Sequence, residues 1–201
     1  MMVGNRNQIC TKLLIRHSLK YHMKVFLKSL NTNVKKLAVA AMLVAIGFAL
    51  STFSIPIGAS KCFPIQHMIN VICGVILGPA YGVLTAFCIS VLRNLAGTGS
   101  LLAFPGSMVG AFLGGILYRY TRKRIFAYAG EVVGTALLGG MLCYPVATLL
   151  MGKEAALFAY VIPFGISTLG GTCIAVVLLE ALYRSGAMHY INGILGEGQK
   201  G

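Results

Sequence analysis

The chain has 201 residues, of which 57% are hydrophobic and 10% charged, with a mean hydropathy of +0.82 and a formal net charge of +13. A soluble domain carries roughly a quarter charged residues, and a nucleic-acid binder would present a basic face interleaved with aromatics, which this sequence lacks. A polytopic membrane protein accounts for both numbers, because charge is kept out of the spans while lysines and arginines collect on the cytoplasmic side.

Residues 1–33 interleave Arg6, Lys12, Arg16, Lys20, Lys24 and Lys28 with Leu, Ile, Val and Phe. No continuous apolar core or small-residue cleavage pattern marks a secretory signal. The segment reads as a basic cytoplasmic extension, either a disordered tail, an over-long start before Met23, or an amphipathic helix on anionic lipid. A membrane domain is expected over residues 34–184 and a cytoplasmic tail over 185–201.

The first predicted span covers about Val34 to Ser54. Ala41, Ala45 and Ala49 recur at every fourth position and form one smooth face, suited to close helix approach within the bundle or against a partner. The next stretch, Ile55–Asn70 (IPIGASKCFPIQHMIN), places two prolines, Gly58, Lys61 and Cys62 between two apolar segments. Irregular polar backbone is costly there unless water, protein or a ligand satisfies it, so the stretch is expected to cap and line a small-molecule site. The helix that follows is short: Gln66 to Gly78 is thirteen residues, or about 20 Å against a hydrocarbon core of ~30 Å. Either Pro79-Ala80 lies within the span or the helix starts below the membrane surface; in the second case Gln66, His67 and Asn70 reach a recess, and their i, i+3 and i, i+4 spacing lets them share one side.

Gly78-Pro79 signals a turn, and the third span runs from about Tyr81 to Gly97 with Arg93-Asn94 near its end. Arg93 either snorkels to the interface or serves a site, as ionisable groups inside a membrane usually do. The fourth span, about Leu102 to Tyr120, repeats glycine at 106, 110 and 114, a close-packing face. It ends in Arg119, Arg122, Lys123 and Arg124. The fifth, about Ile125 to Met151, holds Glu131, the one acid well inside an apolar run. Glu131 is either a site residue or, as preferred, a neighbour of Arg119 or Arg122 near the inner interface. The sixth, about Phe158 to Tyr183, closes with Glu180 and Arg184, spaced for an i, i+4 ion pair.

Fourteen of the seventeen basic residues fall in the amino-terminal segment, the loop after span four, or the tail, leaving Lys61, Arg93 and Lys153 for the opposite side. Six spans then put both termini in the cytoplasm and gather the loops after spans one, three and five outside. The six cysteines, at 10, 62, 73, 88, 143 and 173, include no CxxC pair and four lie in apolar runs, so neither disulfide framework nor metal site is expected. Cys62 and His67 lack a visible orienting acid or oxyanion donor, which argues against nucleophilic catalysis. The sequence contains no GxxxxGK[ST]; active transport would draw its energy from a partner.

Four segments, SIPIGASKCFPIQHMINV, LRNLAGTGSLLAFPGSMVGA, GEVVGTALLGGMLCYPVA and AYVIPFGISTLGG, carry a resemblance. From about Lys35 to Tyr183 the chain resembles the substrate-binding S components of energy-coupling factor (ECF) transporters, specifically the ThiW family. The resemblance implies an all-α integral membrane protein, a six-transmembrane-helix bundle of ECF S-component type. It further implies an outward vitamin-type site closed by the three loops, no ATPase or cofactor of its own, and partnership with a transmembrane coupling subunit and two cytoplasmic ATPases. In S components an alanine-xxx-alanine face on helix one docks the coupling subunit, which corresponds to Ala41 and Ala45, with Ala49 continuing it. The implied substrate is the thiazole precursor of thiamine, hydroxyethylthiazole, imported across a bacterial-type plasma membrane. Such a small heteroaromatic alcohol needs few polar anchors and apolar walls. Gln66, His67, Asn70, Asn94 and Ser167, with Arg93, are candidate anchors, and Phe63, Phe104 and Tyr144 candidate walls. The basic extension before Lys35 has no counterpart in the resemblance.

Overall fold

The computed structural model describes residues 31–52, 54–57, 60–152 and 156–196. Most of the basic extension, the side chain of Lys61 and residues 153–155 of the loop after the fifth predicted span lie outside the described residues. Helix α1 spans Asn31–Ala49 and passes through a short 3-10 turn, Leu50–Thr52. Two strands follow, β1 (Ile55–Ile57) and β2 (Ser60–Cys62), paired antiparallel with Ile55 opposite Cys62 and Ile57 opposite Ser60. The first half of the polar stretch is therefore a miniature hairpin rather than irregular chain. Strand pairing satisfies part of its backbone without recourse to a ligand.

Helices α2 (Pro64–Ile76), α3 (Pro79–Leu95), α4 (Ala103–Thr121), α5 (Arg124–Leu150) and α6 (Val161–Arg184) complete the bundle, and a short α7 (Ala187–Ile194) closes it. Proline stands at the start of both α2 and α3, where a missing N–H costs nothing and its fixed φ suits the first turn. Gly78, at φ +91°, makes the reversal between them in a conformation other residues resist. Helix α5 is continuous but contains two π-helical stretches, Gly134–Gly139 and Val146–Leu150. The second follows Pro145, which has no N–H to give the α-helical ladder.

Three helices have the length and apolarity to cross a membrane, Asn31–Ala49, Arg124–Leu150 and Val161–Arg184, and Pro64–Ile76 and Pro79–Leu95 are shorter apolar helices. Leu149, Ile162, Leu169 and Val177 sit on the outer surface, the arrangement expected where the surrounding solvent is lipid. Helix α2 is the exception. Every residue from Gln66 to Ile76 is buried, and α3, α4 and α6 pack around it. Helices α4 and α5 meet through three glycine pairs. A Cβ on Gly130, Gly134 or Gly139 would come within 2.7 to 2.8 Å of the Cα of Gly114, Gly110 or Gly106 respectively. The glycine repeat of the fourth predicted span is thus a backbone-to-backbone seam.

The two ends of the bundle differ. At one, Arg124 Nη1 donates to Glu180 Oε2 at 2.6 Å and Arg184 Nε to Glu180 Oε1 at 3.1 Å, so the expected i, i+4 pair is present and has a third member. The expected tail contributes α7 to this end, burying Met188 and Leu195 in the core. The other end holds the hairpin, the α3–α4 connection and the start of α6.

Candidate functional site

At that second end lies a cavity of about 340 Å³, at the small end of ligand pockets, which span about 300–1,000 Å³. Phe63, Gln66 and His67 line it from the mouth of α2, Arg93 from the end of α3, Thr98 to Ser100 from the loop, Tyr160 from just before α6, and Phe164 and Ser167 from α6. Two of the three connections expected around a site reach it, the polar stretch after α1 through Phe63, Gln66 and His67, and the α3–α4 loop; none of the described residues of the loop Gly152–Leu157 lines it, and the start of α6 supplies that side.

Its upper wall is organised by Arg93, which is 2% exposed. The guanidinium lies over the Phe63 ring, 3.6 Å from the centroid. Arg93 Nη1 donates to Gln66 Oε1, Nη2 reaches Thr98 O at 3.5 Å, and Nε has no partner. The loop folds back over the same residue, Thr98 N and Gly99 N donating to Arg93 O at 3.0 and 2.9 Å. No carboxylate among the described residues pairs with this buried cation. Gln66 is itself held by Ser90, Nε2 to Oγ at 3.0 Å. Ser167 Oγ accepts from Phe63 N–H at 2.8 Å, fixing the chain where β2 enters α2.

The floor is built on Glu131, which is fully buried. One carboxylate oxygen, Oε1, lies 2.9 Å from His67 Nδ1, 3.1 Å from Asn70 Nδ2 and 3.2 Å from Thr135 Oγ1. Asn70 Nδ2 also donates to Ser107 O at 3.1 Å, and because a carbonyl only accepts, the amide orientation is settled. Gly110 makes room for this cluster: a Cβ there would overlap Thr135 Oγ1 and come 3.0 Å from the Glu131 carboxyl carbon. Gly171 does the same for α6, since its Cβ would collide with Pro64 O and lie 2.7 Å from His67 Cβ.

This overturns the preferred placing of Glu131 beside Arg119 or Arg122. Two turns into α5, the glycine seam turns Glu131 toward α2, where His67 and Asn70 offer donors, and the arginine at the helix start pairs with Glu180 instead. Glu131 is not itself a lining residue of the cavity; it touches His67, which is. Of the nine residues proposed from sequence, Phe63, Gln66, His67, Arg93 and Ser167 line the cavity. Asn70 lies beneath it, bonded to Glu131. Asn94 does not line it; its Nδ2 donates to Ser90 O and Ser100 O at 2.8 and 3.1 Å and ties the loop to α3. Phe104 packs against Phe87, ring centroids 5.7 Å apart. Tyr144 projects from the outer face of α5, 38% exposed, and gives the cavity no wall. The aromatic wall comes from Tyr160 and Phe164, 6.3 Å apart. Flanking Pro163 at the start of a span, they carried a signal in their spacing that sequence reasoning passed over.

The notion of a Cys62–His67 nucleophile and base finds its missing acid in Glu131 but loses its thiol. Cys62 Sγ donates to Pro163 O at 3.5 Å, and burial raises its thiol above the usual range, the reverse of what an activated cysteine needs. Ala41, Ala45 and Ala49 all lie on the exposed face of α1 rather than in the bundle.

A family model described as thiamine-precursor transporter protein (ThiW) matches residues 37–185. No curated protein and no solved structure matches the chain.

Proposed function

The chain belongs to the ThiW family of thiamine-precursor transporter proteins, and from that premise we propose that it is the substrate-binding subunit of an ECF-type importer for hydroxyethylthiazole. The observation that carries the reading is the cavity of about 340 Å³, part apolar and part polar, at the end of the bundle where the hairpin, the α3–α4 loop and the start of α6 converge. Phe63, Tyr160 and Phe164 supply ring contacts, and Gln66, His67, Arg93 and Ser167 supply polar anchors. Few, placed polar groups in an apolar wall suit a small heteroaromatic alcohol.

In this reading all six helices span a bacterial-type plasma membrane with both termini cytoplasmic. The ion-pair cluster of Arg124, Glu180 and Arg184 marks the inner end, in keeping with the concentration of basic residues there. Translocation energy comes from two ATPases through a transmembrane coupling subunit. The exposed Ala41, Ala45 and Ala49 face supports docking on α1, since small residues let a partner helix approach closely.

The deciding experiment purifies the full chain in mild detergent with whatever binds it. Binding of hydroxyethylthiazole by calorimetry, with a coupling subunit and ATPases co-purifying, is expected. Tight binding of a different vitamin and none of the thiazole refutes the substrate and keeps the class. Ala45→Leu is expected to release the partners and leave ligand binding intact; unchanged assembly removes the docking face.

A further inference from the structure

The floor of the cavity presents a histidine whose two nitrogens have different fates. Nδ1 faces Glu131 Oε1 at 2.9 Å, while Nε2 has no hydrogen-bond partner among the described residues and the ring lines the cavity. Oε1 also receives Asn70 Nδ2 and Thr135 Oγ1. A carboxylate oxygen gathering three donors only accepts, so the Nδ1 position carries a proton, and in the neutral imidazole Nε2 then carries a lone pair. The tautomer of a neutral imidazole is set in this way by the bond its other nitrogen makes.

We infer that the cavity selects its ligand by a hydroxyl group, whose proton is donated to His67 Nε2, and that Glu131 is the positioning residue that keeps this nitrogen an acceptor. The inference rests on the reading of the cavity as the transport site and goes beyond it in naming the group recognised. Arg93, which also lines the cavity, offers only donors, with its Nε unpartnered. The ligand that satisfies both ends is small, with an acceptor atom such as a ring nitrogen for Arg93 and a hydroxyl for His67. A phosphate monoester would meet Arg93 favourably but would bring to His67 an oxygen with no proton to give, above the buried Glu131 carboxylate.

The test is calorimetry on the full chain in detergent with three probes: the thiazole alcohol, its methyl ether and its phosphate monoester. Loss of a hydrogen bond to a buried acceptor is expected to weaken the ether about tenfold to a hundredfold relative to the alcohol. Equal binding of alcohol and ether, or tighter binding of the phosphate, overturns the inference while leaving a thiazole transporter standing. Failure of all three to bind overturns the thiazole reading and this inference with it. Glu131→Ala is expected to erase the preference for the alcohol, and Glu131→Gln, whose amide oxygen still accepts from Nδ1–H, to restore it; a preference that survives in Glu131→Ala removes the positioning role. Independently of those variants, ¹⁵N NMR of histidine-labelled wild-type protein, assigned with a His67 substitution, is expected to show the Nδ1–H tautomer at His67, and a protonated Nε2 in the ligand-free protein overturns the inference.

Discussion

Two glutamates, one at an end of the bundle and one in its interior, have opposite surroundings. Glu180 is shared between Arg124 and Arg184 on a surface where its side chain is 42% exposed. Glu131 has no exposed surface and faces a histidine, an amide and a hydroxyl, none of them a fixed cation. The first is an ion pair that solvent screens and that contributes little. The second is a buried polar network in which three donors share the same oxygen, so its removal weakens several groups at once. The exposed glutamate joins charges at the surface; the buried one holds together polar groups beneath the cavity.

Breaking the buried member has the largest expected effect. Glu131→Ala strands His67 Nδ1 and Thr135 Oγ1, leaves Asn70 Nδ2 only its bond to Ser107 O, and is expected to cost about 3 kcal/mol, the scale for uncoupling a buried polar pair, seen as a lower thermal midpoint in detergent. Gly110→Val attacks the same network through packing. Its side chain overlaps Thr135 Oγ1 and pushes α5 from α4, with an expected loss of about 2 kcal/mol and weakened ligand binding in the same preparation. Arg93→Gln keeps a hydrogen-bonding group but loses the cation over Phe63. Its expected effect is on affinity, a loss of about 1.5 kcal/mol measured by calorimetry, typical of one charge-assisted hydrogen bond. The smallest effect belongs to the surface member: Glu180→Gln is expected to leave both thermal midpoint and ligand affinity unchanged. If Glu180→Gln destabilises as much as Glu131→Ala, the contrast between the exposed and the buried glutamate is wrong.

The helices were legible because their signals are local. Apolar runs, prolines at helix starts and glycine turns set the elements within a few residues, as with the short helix after Phe63, observed as Pro64–Ile76. Part of the cavity was legible for the same reason. Gln66, His67 and Phe63 sit at the start of a short helix, and Arg93 ends an apolar helix beside a glycine loop. The aromatic wall was not, because facing inward or outward depends on how α5 and α6 rotate against their neighbours. Tyr144 and Phe164 are similar rings in similar runs, and only packing separates them.

By itself the sequence determined a membrane class, the helical elements, the uneven distribution of basic residues and a family resemblance. All of these follow from composition and from patterns spanning a few residues. Tertiary structure decided that α2 is enclosed by its neighbours, that the first half of Ile55–Asn70 is a hairpin, and that Glu131 turns toward His67. These depend on contacts between residues far apart in the chain, His67 and Glu131 standing 64 positions apart. The glycine seam between α4 and α5 is the physical link between the two levels: its spacing is written in the sequence, but the neighbour it admits is chosen only when the helices pack.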